Sequence, residues 1–150
     1  MYHAIVRQRL ANAFAGLSQG RVEAITNELA PHAVHTFIGH HALSGVRRQP
    51  ALIRQWYERL LRLMPGITFQ LDEIVAKGPP WNTLAVVHWQ ETNFGTDGVQ
   101  TTTDGVNVIK LRWGKVVSVR IYTDTVALKA TLDRIFNKGT TEAHAAPIEG

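Results

Sequence analysis

The chain contains no cysteine. Disulfide frameworks, iron–sulfur clusters and thiolate zinc sites are thereby excluded, and a reducing cytoplasm fits the absence. Charge is also scarce, at 19% of 150 residues, below the usual quarter. No apolar run reaches the length of a membrane span. The N-terminus MYHAIVRQRLANAF has no signal-peptide apolar block, and Arg7 and Arg9 interrupt it within an amphipathic pattern. Glycine-rich phosphate loops and a Gly-x-Ser-x-Gly elbow are missing, so nucleotide binding and serine hydrolysis lack support. No repeat or Pro/Gly/Ser-rich linker divides the chain, and its length suits one domain.

Apolar residues make up 45% of the sequence, enough for a packed core. The net charge is +4, and Arg47, Arg48, Arg54, Arg59 and Arg62 are opposed nearby only by Glu58. The aromatic residues of that segment fall on its apolar side, not among the arginines. The cluster therefore reads as a helix's solvated face, and no nucleic-acid partner is expected.

Val6, Leu10, Ala13, Phe14 and Leu17 recur at helical spacing and predict a first helix over residues 3–17. A second helix is expected from Arg21 to Ala30, ended by Pro31. Residues 33–39 predict a short strand, and HHALSG a loop. Pro50 opens a third helix, with Ile53, Trp56, Tyr57, Leu60, Leu61 and Met64 inward. From Ile67 the period changes to that of strands, four of them, separated by turn residues at 78–80, 95–98 and 113–114. They form an antiparallel meander, followed by a last helix from Val126 to Phe136. Residues 137–150 are expected to be an exposed or partner-draped tail.

This is an α+β plan, with helices covering one face of a curved, mainly antiparallel mixed sheet that wraps a small-molecule cleft. Apolar or aromatic side chains on both faces of the 115–123 strand predict a homodimer across the sheet.

The order of elements, together with GVNVIKLRWGKVVSVRIYTD and HHALSGVRRQPALIRQWYERLLRLMPGITF, resembles the nuclear transport factor 2-like superfamily in its SnoaL-like branch. Relatives there include polyketide cyclases, ketosteroid isomerase, limonene epoxide hydrolase and scytalone dehydratase. The resemblance spans about residues 5–136 and implies a cone-shaped roll with residues 1–136 as the pocket domain. It also implies a cofactor-independent isomerase, cyclase or hydratase–dehydratase acting by acid/base chemistry on a compact apolar molecule. The acid that closes the last strand in the epoxide hydrolase and the cyclases matches Asp124. Glu91 and Asn93 stand where the hydrolase has an arginine and an aspartate, and Phe37 where the isomerase has its proton-carrying aspartate.

From these positions Asp124 is the expected central acid or base, with His35 or Glu91 as partner. Asp124 is equally placed to cap the last helix, as are Thr123 and Thr125. Tyr122 and Asn107 are expected to hold a substrate oxygen, and Phe37, Trp56 and Trp89 to form apolar walls. Either face of the strand holding Trp89 and Glu91 can line the cleft, since the alternation does not choose between them. His32, His35, His40 and His41 invite a metal reading, but their spacing suits a helix or tight turn and no acid lies close by, so no metal is expected. A non-catalytic ligand-binding or assembly module on the same fold is the alternative.

Overall fold

The computed structural model describes residues 1–150. Helix α1 (Tyr2–Ser18) buries Val6, Leu10, Ala13, Phe14 and Leu17, the stripe its spacing predicts. Helix α2 is only Glu23–Thr26, shorter than the expected Arg21–Ala30. The backbone leaves the helix early because the Val116 N–H donates to the Glu28 carbonyl and Leu29 pairs with Val116. Strand β1 (Leu29–Phe37) therefore starts ahead of Pro31. Its pairing breaks between Leu29 and Val34, where a residue without an N–H is tolerated.

The loop expected after β1 contains a short edge strand, β2 (Gly45–Arg47), which pairs antiparallel with β1 and sets Arg47 opposite His35. Helix α3 (Pro50–Leu63) follows and buries Ile53, Trp56, Tyr57, Leu60 and Leu63. The meander is β3 (Thr68–Lys77), β4 (Thr83–Asn93), β5 (Thr101–Arg112) and β6 (Lys115–Thr123), leading into α4 (Thr125–Asn137). The six-stranded sheet has the order β2-β1-β6-β5-β4-β3. Only the β1–β6 pair is parallel, and the sheet stays open. No helix is long and apolar enough to cross a membrane.

One apolar core joins α1, α3 and α4 to one face of the sheet. Its central contact is made by Trp89 on β4, which lies opposite Gly105 on β5. A Cβ at position 105 would collide with the indole ring, so the bare backbone is what lets the ring lie flat across the ladder. The ring meets Phe69 of β3 edge-on at 5.3 Å, and Phe69 meets Phe14 of α1 at 5.4 Å. Sheet and helix are thus joined through a line of aromatic contacts.

Ion pairs at two places tie the periphery. Arg134 on α4 donates from Nε (2.7 Å) and Nη2 (3.2 Å) to Asp97 in the β4–β5 connection. Residues 137–150, expected as an exposed or partner-draped tail, fold back over α3 and β2 of their own chain. Arg62 grips Glu142 at 2.9 and 2.8 Å, Arg59 adds a third contact, and Ala143 is buried. The Gly150 N–H donates to the Val46 carbonyl, so the last residue prolongs the edge of the sheet.

Two outcomes follow. Gly105→Ala should displace Trp89 and destabilise the fold by about 1–3 kcal/mol, the usual range for overpacking, read from thermal melts and near-ultraviolet circular dichroism. The Arg134 guanidinium holds the Asp97 carboxyl at about 2. A depressed acid stabilises above its ordinary range and loses that contribution as pH falls through the folded-state value. Asp97→Asn should therefore lower the melting temperature at neutral pH, and the gap from the parent should close between the ordinary Asp range and about 2. A gap that persists below that window would place the effect elsewhere.

Candidate functional site

Between α1, α3, the start of α4 and the concave face of β4–β6 lies a pocket of about 580 Å³ of atom-free space, counted out through its open mouth. Of its 18 lining residues 14 are hydrophobic, so an occupant must be mostly apolar. Phe37, Trp56 and Trp89 stand in its wall as expected, and so does Asn107. Trp56 is fixed by its Nε1–H, which donates to the Leu43 carbonyl at 2.7 Å.

Strand alternation turns Trp89, Glu91 and Asn93 to the covered face of β4 and leaves Gln90 exposed and His88 half-buried. The pocket therefore receives Glu91, the only carboxyl in its lining. Asn93 is 1% exposed, and its Oδ1 accepts from the Gly95 N–H at 2.9 Å. That bond fixes the amide's orientation and directs Nδ2 to both Glu91 oxygens, at 3.2 and 2.9 Å. Burial pushes the Glu91 pKa up, and the Asn93 amide and the Thr103 hydroxyl oppose part of the rise. The net effect moves the group's proton exchange toward neutral pH. Across the ladder, Asn107 Oδ1 accepts from Trp89 Nε1 at 2.9 Å. Its two amide hydrogens have no partner in the chain and are left for an occupant.

His35 is completely buried, yet it stands behind the wall rather than in it. Its Nδ1 accepts from Arg47 Nε at 3.0 Å, and Nε2 lies 3.2 Å from the Tyr57 hydroxyl. Tyr57 itself lines the pocket. Burial, with the Arg47 charge adding to it, holds the His35 pKa well below its ordinary value. The imidazole is neutral and touches the pocket only through Tyr57.

Asp124 lies outside. It is exposed, and its Oδ1 accepts from the Ala127 N–H at 3.0 Å as the N-cap of α4. Tyr122 shares its face, is 38% exposed and accepts from Arg120 Nε. The reason is parity. Val119 and Ile121 take the covered side of β6, so Thr123 follows them into the pocket wall while Tyr122 and Asp124 point out. The central acid expected from the sequence is therefore a helix cap, and Glu91 is the carboxyl the pocket holds.

Tyr57, Asn93, Thr103 and Thr123 are polar residues of the site to which sequence reasoning gave no part in the pocket. Asn93 had a signal in its place two residues beyond Glu91, on the same strand face. On the outer face of the sheet His88 sits between Asp104 (3.0 Å) and Asp72 (3.7 Å), which raise its pKa, chiefly through the hydrogen bond to Asp104. That cluster is remote from the pocket lining.

Comparison with known proteins places this geometry. No curated protein matches the chain. Among solved structures, an NTF2-like protein of unknown function from Burkholderia pseudomallei superposes with a TM-score of 0.75 at 15% identity, covering 84% of this chain and 95% of its own. A putative SnoaL-like polyketide cyclase from Jannaschia sp. CCS1 gives 0.71 at 14% identity, covering 86% and 92%. TerC, co-crystallised with polyporic acid, gives 0.70 at 18% identity, covering 85% and 98%. These likenesses establish the fold. The model of the SnoaL-like domain matches residues 10–119, a stretch holding β1 to β5, the first part of β6, α3 and the second half of α1, and the chain belongs to the SnoaL-like domain family.

Proposed function

We propose that this chain is a cofactor-independent acid/base catalyst, an isomerase, cyclase or hydratase–dehydratase, for a compact and mostly apolar molecule. The observation that carries it is Glu91, a carboxyl buried among apolar walls, oriented by Asn93 and raised toward neutrality by burial. Such a group takes a proton from carbon or returns it to a neighbouring position without help from a metal or coenzyme. The free amide hydrogens of Asn107 supply donors for an oxygen on the same molecule. Phe37, Trp56 and Trp89 exclude water from its ring or chain. Related folds take small molecules: TerC was crystallised with polyporic acid, and a protein of ketosteroid isomerase-like fold from Catenulispora acidiphila with trimethylamine.

A non-catalytic ligand carrier is the second reading, favoured by one observation: the lining offers a single carboxyl and no second acid next to it. The proposal includes a homodimer across the outer sheet face. There Val75 is 48% and Tyr122 38% exposed, while Val86, Val106 and Val108 are half-covered between them.

Two measurements test this. The enolisable ketone 2-tetralone, held in heavy water with the protein, should exchange its α-protons faster than in buffer. The rate should rise with pH through a midpoint above the ordinary glutamate range, because the base is the ionised form. Glu91→Gln should slow exchange by about a hundredfold or more with binding retained; binding without any exchange in the parent would leave the carrier. Sedimentation should give twice the chain mass, and Tyr122→Lys should return it to one.

A further inference from the structure

Behind the pocket wall runs a hydrogen-bond chain that the acid/base chemistry does not use. Arg47 is 0% exposed, and its guanidinium bonds to no carboxylate. Nε donates to His35 Nδ1 at 3.0 Å, Nη1 to the carbonyls of Ser44 (3.3 Å) and Ile148 (2.8 Å), and Nη2 to that of Gly45 (3.0 Å). Glu149 is the acid close enough for Arg47 to feel its charge, but it makes no bond to it. Neutral acceptors satisfy the donors and leave the charge uncompensated, a costly state in a buried place.

The bond directions are forced. A guanidinium only donates, so His35 Nδ1 is an acceptor and the hydrogen of the neutral imidazole sits on Nε2. It points at the Tyr57 hydroxyl oxygen, 3.2 Å away. That oxygen accepts, and the hydroxyl hydrogen of Tyr57 has no partner in the chain. Tyr57 is a wall of the main pocket and also of a smaller void behind it, the two sharing Phe14, Ile25, Tyr57 and Asn107. The Arg47 guanidinium carbon lies 5.4 Å from the Trp56 ring centroid, so a full positive charge stands one aromatic layer behind this end of the pocket. Low dielectric there extends its reach.

We propose that Tyr57, held as a one-way donor by the Arg47–His35 relay, recognises a negatively polarised oxygen, so that the pocket selects compact ring ligands bearing an enol or phenol over hydrocarbons of the same shape. This rests on the pocket being the ligand site, though not on Glu91 turning a substrate over. Arg47 and His35 are positioning residues; Tyr57 is the one that touches the ligand.

The probes are 4-nitrophenol and 4-nitrotoluene, which share ring and nitro group and differ by hydroxyl against methyl. Calorimetric titration should show the phenol bound at least about tenfold more tightly, with its visible phenolate band strengthened in the complex. Tyr57→Phe, which keeps the ring, should lower phenol affinity about tenfold, the effect of one charge-assisted hydrogen bond, and leave nitrotoluene unchanged. Equal binding of the two probes by the parent, which needs no variant, overturns the proposal; so does a Tyr57→Phe loss that falls on both alike. If neither probe binds, the pocket is not the ligand site and the acid/base proposal falls with this one. Selective binding of the phenol with no proton exchange on 2-tetralone sinks the acid/base proposal alone.

Discussion

The indole of Trp89 lies across the bare backbone of Gly105, and the shape of the hollow depends on that contact. With no Cβ beneath it, the ring stays low against the sheet, reaches Asn107 with its N–H and meets Phe69 in a T-shaped contact. Phe69 in turn packs on Phe14 of the first helix. This line of rings joins helix and sheet, and all three rings also line the pocket. A larger residue at 105 would lift the ring into the space an occupant needs. The same contact thus sets packing and binding together.

Two of the ionisable groups withdrawn from water around that hollow, Glu91 and Arg47, are handled in opposite ways. Glu91 is a carboxyl whose charge is disfavoured by burial, so its proton becomes easier to keep. Arg47 cannot give up its proton within the ordinary range, and burial lowers its pKa only to about 10. Its charge is met by carbonyl oxygens and a histidine nitrogen. In the two proposals, Glu91 moves a proton at one place in the cavity and Tyr57, backed by Arg47, holds an electron-rich atom at another. A molecule with an acidic carbon next to an oxygen meets both requirements.

The last fourteen residues take part in this arrangement more than their composition suggests. Ile148 supplies one of the carbonyls that hold Arg47, and Glu142 binds Arg59 and Arg62. Three of the five clustered arginines are thereby engaged with the C-terminal segment. What looks in isolation like a basic helix face is in good part the docking surface for the chain's own end.

Spacing along the chain was enough for the helices that carry strong apolar stripes, for the antiparallel meander and for the α+β plan, because those depend on period alone. Together with the family resemblance it named Glu91 and Asn107 as candidate polar groups of the cleft and Trp56, Trp89 and Phe37 as candidate walls. Tertiary structure decided the rest. Whether Asp124 faces the cleft turns on a parity of one residue at the end of β6, which is set by Val119 and Ile121 taking the covered side. The early end of the second helix depends on Val116, nearly ninety positions away in the chain. The role proposed for Tyr57 depends on Arg47, His35 and Tyr57, from three different elements, meeting in one dry interior. Local sequence encodes period and propensity, whereas a hydrogen bond's direction and a group's desolvation belong to the neighbours that the fold brings to it.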